Sequence, residues 1–335
     1  PARTGGAAAG DSSVLLSARP GPVRQIAGRA GRSLLLGTAI CLLIGEAGRW
    51  HWAADLFAHF RWQAVAALTL ATLLTALAGR WRWAAAGVAL VLLSAGTAGG
   101  PWLRGTAERT PAARLTVVSF NAHLHNRNAE SLLQWLAEVD PDIVVIVELG
   151  PEMASGLASL QQHYPTLHTE AREDPWGVGL WSRLPDGEIE VLDQAGPLGP
   201  LPALALRTQV SGIPLQLLAV HPPPPIGATL AQTQQRQQLQ WLQWMAERQT
   251  PTVLVGDLNA TPWGEHFRRL REAGLDDDGW GSWPPSWSPG PPLQWLSLPI
   301  DHALAQPPWR VLNRRCGPPL GSDHCPLWAE LGVDR

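Results

Sequence analysis

The sequence predicts an α/β domain that follows three transmembrane helices. Three apolar runs fill much of the first hundred residues, in which Ala, Leu, Gly, Val and Trp predominate. From residue 114 onward, short apolar segments alternate with segments of helical periodicity, as the strands and helices of one α/β domain do. About 220 residues of this kind are enough to bury a full core.

The apolar runs cover residues 33–48, 62–79 and 83–101. A spanning helix needs roughly 20 mostly apolar residues, with about 17 as the lower limit, so the second and third runs qualify and the first is marginal. The first run is also compatible with a signal peptide, but the two further runs favour three spans. We therefore predict a disordered cytoplasmic tail at 1–32, a three-span region at 33–103, a tether at 104–113 and a domain at 114–335.

Arginine sets the predicted orientation, because the chain contains no lysine. Five arginines precede the first run and two lie between the second and third, whereas the loop between the first and second has Arg49 and Arg61. The positive-inside rule therefore places the N-terminus in the cytoplasm and the domain outside. Three arginines at 104, 109 and 114 oppose this assignment. Tryptophans flank the runs, as interfacial belts do.

The domain begins with a predicted strand at 115–120, and Asn128 caps the helix that follows. Further strands are expected at 143–147, 177–182, 215–220 and 252–255. Thr261 and Pro262 mark the start of another helix. A glutamine-rich helix at about 228–248 is expected to bury the apolar residues Leu239, Leu242, Met245 and Ala246.

Charge disfavours a nucleic-acid-binding protein. From residue 104 onward, 16 arginines stand against 25 acidic residues, which gives a net charge of −9 with histidine neutral. Proteins that bind nucleic-acid backbones nonspecifically do so with clustered Lys and Arg. The short basic group at 268–271 is interpreted as the solvated face of a helix.

Two cysteines, Cys316 and Cys325, lie near the end of the domain. An oxidising compartment would allow a disulfide between them. The alternative is a pair of free thiols on neighbouring strands, and the sequence leaves both open.

Five polar motifs occur in order along the domain. They are Ser119-Phe120-Asn121, Val147-Glu148, Val220-His221-Pro222, Gly256-Asp257-Leu258-Asn259, and the pair Ile300-Asp301-His302 with Gly321-Ser322-Asp323-His324. In this order and spacing they resemble the motifs of the endonuclease/exonuclease/phosphatase superfamily of metal-dependent phosphoesterases. The resemblance covers about residues 114–333 and implies a two-sheet α/β sandwich like that of deoxyribonuclease I.

The resemblance also implies a role for each polar residue. In such a site Asn121 and Glu148 hold or orient a metal ion, and Asp323 helps to ligate it. Catalytic roles fall to five residues: Asp257 and Asn259 position water and bind phosphate, His221 donates to the phosphate, and Asp301 orients His324. The absence of CxxC and HExxH motifs and the abundance of oxygen ligands favour Mg²⁺ or Mn²⁺.

His123 departs from the nuclease branch of this superfamily, in which apurinic-site endonucleases carry a second acidic metal ligand at that position. The departure disfavours a DNA-repair role. We interpret His123 as a histidine at the rim of the site, with metal ligation as the alternative, and His125 and His302 as structural.

Residues 280–299 combine six prolines with the four tryptophans Trp280, Trp283, Trp287 and Trp295. No regular element fits, so we predict a long functional loop. One interpretation is an apolar lip at the membrane interface that admits a lipid head group. The alternative is that the indoles pack back onto the domain.

The predicted spans, the prolines at 222–225 and the segment at 259–263 are similar to bacterial membrane members of the superfamily, some of them associated with glycopeptide resistance and with recycling of lipid-linked pyrophosphate carriers. We therefore expect a multi-pass hydrolase of the bacterial cytoplasmic membrane that acts outside on a lipid phosphate, a lipid pyrophosphate or a phosphorylated small molecule. Membrane lipids are the expected partners, and no obligate protein partner is evident. The alternatives are a tethered extracytoplasmic nuclease and an inactive scaffold of the same fold.

Overall fold

The computed structural model describes residues 21–98, 111–194, 196–277 and 284–333. It begins with α1 (Pro22–Glu46), a 3-10 turn (Ala47–Arg49), α2 (Trp52–Ala58), α3 (Arg61–Leu77) and α4 (Trp81–Ala98). Because α1 starts at Pro22, the helix extends into the segment predicted to be a disordered tail. The rest of that tail, residues 1–20, and the tether residues 104–110 lie outside the described residues.

Within the described part of the chain, two helices are long and apolar enough to cross a membrane. The number rises to three if α2 and α3, which meet at a bend of 60°, form one broken span. Small residues let these helices approach closely. A Cβ atom at Gly31 of α1, for example, would lie 2.9 Å from the Cβ of Leu74 in α3.

Among the residues that the structure describes, eleven strands form two mixed sheets. The first sheet contains β1 (Ala113–Asn121), β2 (Ile143–Val147), β3 (Thr166–Glu170), β4 (Val178–Ser182), β10 (Trp309–Cys316) and β11 (Leu327–Val333), in the order β10-β11-β1-β2-β4-β3. The second contains β5 (Glu188–Gln194), β6 (Leu201–Val210), β7 (Ile213–Val220), β8 (Thr252–Asp257) and β9 (Asp301–Ala305), in numerical order. The pairs β1–β2 and β7–β8 are parallel.

The two sheets pack face to face, and helices cover their outer faces. Side chains alternate along a strand with a period of two, so Val145 of β2 enters the core between the sheets while Val144 and Ile146 face outward. Helices α5 (Ala129–Val139) and α6 (Pro151–Gly156) cover the first sheet, and α7 (Ala228–Arg248) and α8 (Glu265–Glu272) cover the second. The predicted two-sheet α/β sandwich is confirmed.

The predicted inward face of α7 is wrong in part. Leu239 is 53% exposed and Ala246 is also exposed, whereas glutamines and tryptophans of the helix are buried. The physical reason is that α7 covers loop backbone, whose carbonyl groups need donors. Gln234 Nε2 donates to the carbonyl of Leu258 at 3.2 Å. The face of α7 that contacts the domain is therefore not a purely apolar stripe, because it buries glutamines beside tryptophans and Met245.

Cys316 and Cys325 form a disulfide, with their Cα atoms 5.6 Å apart. The sequence leaves open a disulfide or two free thiols, and the structure contains the disulfide. Cys316 ends β10 and Cys325 stands just before β11, so the bridge closes the connection that carries Asp323 and His324.

Candidate active site

Strand ends bring the polar motifs to one edge of the sandwich. β1 ends at Asn121 and the parallel strand β2 is followed at once by Glu148. His221 follows β7, and its parallel neighbour β8 ends at Asp257. β9 runs antiparallel to β8, so its first residue, Asp301, pairs with Asp257 at the same edge.

The turn at Asp257 requires the glycine that precedes it. Gly256 has a φ of +143°, and a Cβ atom there would lie 1.9 Å from the carbonyl oxygen of Val220. Only glycine fits so close to a neighbouring strand. The Asp257 side chain is then fixed by the backbone N–H of Asn259, which donates to its Oδ1 at 2.8 Å.

Asn121 links two carboxylates at the floor of the site. Its Nδ2 donates to Glu148 Oε1 at 2.9 Å and to Asp257 Oδ2 at 3.0 Å. The orientation of the amide is fixed because the backbone N–H of His123 can only donate, and it donates to Asn121 Oδ1 at 3.0 Å. In this conformation Asn121 orients the carboxylates, and its predicted role as a metal ligand stays a prediction.

Asp301 and His324 form a buried pair. His324 Nδ1 donates to Asp301 Oδ2 at 2.7 Å, and its Nε2 lies 3.7 Å from Asp257 Oδ2. Burial disfavours protonation of this imidazole, but the charges of Asp301 and Asp257 outweigh it and raise the pKa of His324 to about 10. Ser286 Oγ accepts from the backbone N–H of Asp301 at 2.9 Å and so holds the start of β9.

A second histidine faces the same carboxylates. His221 Nε2 lies 3.5 Å from Asp257 Oδ2 and 3.9 Å from Glu148 Oε1. Burial works against its charged form, but the hydrogen bond and charge of Asp257 raise the pKa of His221 overall. In the same way, burial opposes ionisation of Asp257, yet His324 and His221 lower its pKa to about 2.

Asn259 and Asp323 complete the set of predicted residues. Asn259 Nδ2 donates to the carbonyl of Pro222 at 3.0 Å, which ties the loop after β8 to the loop after β7. Asp323 Oδ2 accepts from Trp287 Nε1 at 2.8 Å. All eight predicted residues therefore lie together, with Asn121 and Asp301 buried beneath the others.

The donors at this edge suit a divalent cation. Within the described residues, one ligand atom from each of Asp257, Asp301 and His324 lies within 4.8 Å of the other two, and Asp301 Oδ1 is buried with no hydrogen-bond partner. The site contains four carboxylates and two imidazoles, so its net charge is negative even when both histidines are protonated. These residues are Glu148, Asp257, Asp301 and Asp323 with His221 and His324. Hard oxygen donors in excess negative charge fit a divalent metal ion.

The remaining histidines of the motifs lie elsewhere. His123 and His125 are exposed, with their ring centroids 5.9 Å apart. His302 is buried, and its Nε2 donates to the carbonyl of Ala260 at 2.9 Å, which agrees with the structural role predicted for it.

In its described part, residues 284–299, the proline-rich loop contributes Trp287 to the site. The backbone of Trp287 forms a β-bridge with His324, and its indole N–H donates to Asp323 Oδ2 at 2.8 Å. Trp295 is 66% exposed, and its carbonyl accepts from Gln63 Nε2 of α3 at 3.2 Å. Trp280 and Trp283 lie outside the described residues. Of the two other tryptophans, Trp287 packs back onto the domain, as one interpretation predicts, whereas Trp295 is exposed, as an apolar lip would require.

A cavity of about 670 Å³ opens above the polar residues. Sequence reasoning missed part of its lining, because Leu56, His59 and Phe60 come from α2 and the turn that follows it. Trp176 and Ile226 add further apolar surface from the domain. The available signal was weak: Asp55 and His59, two polar residues four positions apart, interrupt an apolar stretch between two predicted spans.

Residues 118–324 match the family model described as the endonuclease/exonuclease/phosphatase family. The chain belongs to this family. Its members are hydrolases that act on phosphoester bonds, and membership makes this chain a phosphoester hydrolase. No curated protein matches the chain in sequence.

Several solved structures share the fold at low sequence identity. A protein of unknown function from Enterococcus faecalis V583 is 17% identical, with a TM-score of 0.54 over 66% of this chain and 100% of that one. A family member from Beutenbergia cavernae is 20% identical, with a TM-score of 0.51 over 66% and 72% of the two chains. D. rerio TDP2, solved with a single-strand DNA product, is 18% identical, with a TM-score of 0.52 over 66% and 99%.

Proposed function

We propose that this chain is a membrane-anchored, Mg²⁺- or Mn²⁺-dependent phosphatase of the bacterial cytoplasmic membrane that acts outside the cytoplasm on a lipid phosphate or pyrophosphate. The observation that carries the proposal is the composition of the cavity. Its floor is formed by carboxylates and histidines, while Leu56 of α2 and Phe60 of the turn between α2 and α3, the two helices that together form a possible broken span, line the same space. A phosphate with an apolar chain matches both surfaces.

Two further features support the location and the substrate class. The disulfide between Cys316 and Cys325 favours an oxidising compartment outside the cytoplasm. The net charge of −9 from residue 104 onward disfavours a nucleic acid as the substrate, because binding of its phosphate backbone depends on basic residues.

Each residue has a defined task in this proposal. Glu148 and Asp323, with Asn121 orienting Glu148, would hold the metal ion, which when bound neutralises charge on the phosphoryl oxygens. Asp257, whose low pKa keeps it ionised, orients the attacking water. Protonated His324, held by Asp301, and His221 donate to the phosphoryl oxygens and stabilise the charge that develops there.

The proposal is tested by phosphate release from the full chain in lipid nanodiscs. A long-chain prenyl phosphate, the matching pyrophosphate and plasmid DNA are offered with Mg²⁺, with Mn²⁺ and with chelator. We expect metal-dependent release of phosphate from the lipids. Glu148→Gln should lower the rate by about 10²-fold or more, since it removes a carboxylate that would hold the metal ion. Glu152→Gln is the matched control, because Glu152 lies on the exposed side of α6 and pairs with Arg127.

Three results would contradict the proposal in different ways. Full activity in chelator, or a Glu148→Gln rate equal to that of Glu152→Gln, would remove the metal assignment. Cleavage of DNA without hydrolysis of the lipids would identify a tethered nuclease. Inertness toward every substrate would favour an inactive scaffold.

A further inference from the structure

Helix α2 is joined to the catalytic domain by polar contacts as well as by the chain. His59, at the end of α2, lies against Thr261, which is fully buried in the loop that follows Asp257 and Asn259. Thr261 Oγ1 lies 2.9 Å and its backbone N 3.2 Å from His59 Nδ1. A backbone N–H can only donate, so Nδ1 is the acceptor and the neutral ring carries its proton on Nε2.

A second contact fixes the other side of α2. Asp55 Oδ1 accepts from the backbone N–H of Glu265 at 2.8 Å. Glu265 is the first residue of α8, and the residue before it, Gly264, has no side chain to cap the helix. Asp55 thus caps α8 from another part of the chain, where a carboxylate is favoured by the unpaired N–H groups. The two contacts hold α2 in one position relative to the loop at 257–261.

This position brings two apolar side chains of the N-terminal region to the cavity. Leu56 lies one residue after Asp55 and Phe60 one residue after His59, and both line the cavity that contains Glu148, Asp257 and His324. Phe57, their neighbour on α2, does not line it and is 42% exposed. The polar contacts and the cavity lining therefore fall on one side of α2, and Phe57 on another.

We propose that α2 and the turn that follows it form the wall of the active site that selects the substrate. Leu56 and Phe60 take the first methylene groups of an alkyl or prenyl chain attached to the phosphate, and the substrate class is a phosphate monoester, or the matching pyrophosphate, of a long-chain alcohol. The inference rests on the proposed function for its chemistry. Beyond that function, we infer that the substrate specificity of the catalytic domain is supplied by the segment between α1 and α3.

Short water-soluble esters provide the test, because they separate chain recognition from access to the bilayer. A buried methylene contributes about a fourfold gain in affinity. We therefore expect the full chain in nanodiscs, with Mg²⁺, to prefer hexyl phosphate to ethyl phosphate by about tenfold or more in kcat/KM. The double variant Leu56→Ala, Phe60→Ala should reduce the preference to about threefold or less. Phe57→Ala, which truncates a phenylalanine of α2 that does not line the cavity, should keep it.

Binding of hexylphosphonate and ethylphosphonate, which are not hydrolysed, provides a readout without turnover. If neither ester is hydrolysed but hexylphosphonate binds about tenfold more tightly and loses that advantage in the double variant, the hydrolytic function fails and the wall stands. Equal binding of the two phosphonates would refute the proposal that Leu56 and Phe60 recognise the alkyl chain. A preference that the double variant and Phe57→Ala reduce equally would refute it as well. A preference that persists in the double variant assigns chain recognition to other residues and also overturns it.

Discussion

In the proposed mechanism Asp257 and His324 act on the same transition state, and their coupling can be measured. Asp257 Oδ2 lies 3.7 Å from His324 Nε2. At an effective dielectric constant of about 20, two opposite charges at this distance attract each other by about 4.5 kcal/mol. Loss of either residue would therefore remove this shared attraction as well as the residue's own proposed contact, with the attacking water for Asp257 and with the phosphate for His324, and the two losses should not add.

The substitutions are chosen to leave the fold intact. Asp257→Asn removes the charge and keeps the shape of the side chain. His324→Asn is preferred to alanine, because its Nδ2 stands where Nδ1 does and can still donate to Asp301, whose buried carboxylate would otherwise be left unpaired at a cost of about 3–5 kcal/mol. Each single variant is expected to lower kcat by about 10²-fold to 10³-fold.

The assay is phosphate release from a short-chain monoester at saturating Mg²⁺, with thermal unfolding of every variant as the check on folding. The double variant should be no more than about tenfold slower than the slower single variant, whereas independent effects would multiply to about 10⁴-fold or more. His125→Ala, at an exposed histidine outside the site, is the control and should retain the wild-type rate. A double variant at the product of the two single effects would refute the assignment of both residues to one centre.

Three further predictions concern α2, the pH dependence of stability and the topology. His59→Leu leaves the buried N–H of Thr261 without an acceptor, at a cost of about 1–3 kcal/mol, and should lower kcat by roughly tenfold or more. His59→Asn, whose Oδ1 replaces Nδ1 as the acceptor, should restore most of the lost kcat. Equal losses of kcat in the two variants would show that the contact does not position the loop. Burial, with a smaller contribution from Arg269, lowers the pKa of His266 from 6.5 to about 3, so the unfolded chain binds a proton between these values that the folded chain does not. Stability should therefore fall as the pH drops below 6.5, and His266→Gln should reduce the slope of the unfolding free energy by about 1.4 kcal/mol per pH unit; an unchanged slope would contradict the buried neutral ring. A reporter enzyme fused to the C-terminus should be active outside the cytoplasm and one inserted between α3 and α4 should be active inside, and the reverse pattern would overturn the proposed orientation.

The site was largely predictable because it is built from strand ends. Asn121, Glu148, His221 and Asp257 each end or directly follow an apolar segment, and in parallel neighbours such ends meet at one edge. Their roles as catalytic or metal-binding groups remain predictions.

Two contributions could not be predicted, for physical reasons. The buried side of α7 carries glutamines because the carbonyl groups of Leu258 and His266 accept hydrogen bonds from Gln234 and Gln238. The periodicity of apolar residues gives no information about such polar contacts. The contact of His59 with Thr261 joins residues 202 positions apart, and nothing local to either residue indicates the other.

The placement of β11 has a consequence for how the enzyme comes into being. This strand lies between β10 and β1, and Val333 pairs with both Ala113 and Trp309. Asp323 and His324 therefore reach Asn121 only when the end of the described chain has returned to its first strand. Pairing of such distant segments is slow compared with local structure formation. We expect the nascent protein to be inert until β11 has been synthesised and has paired with β1.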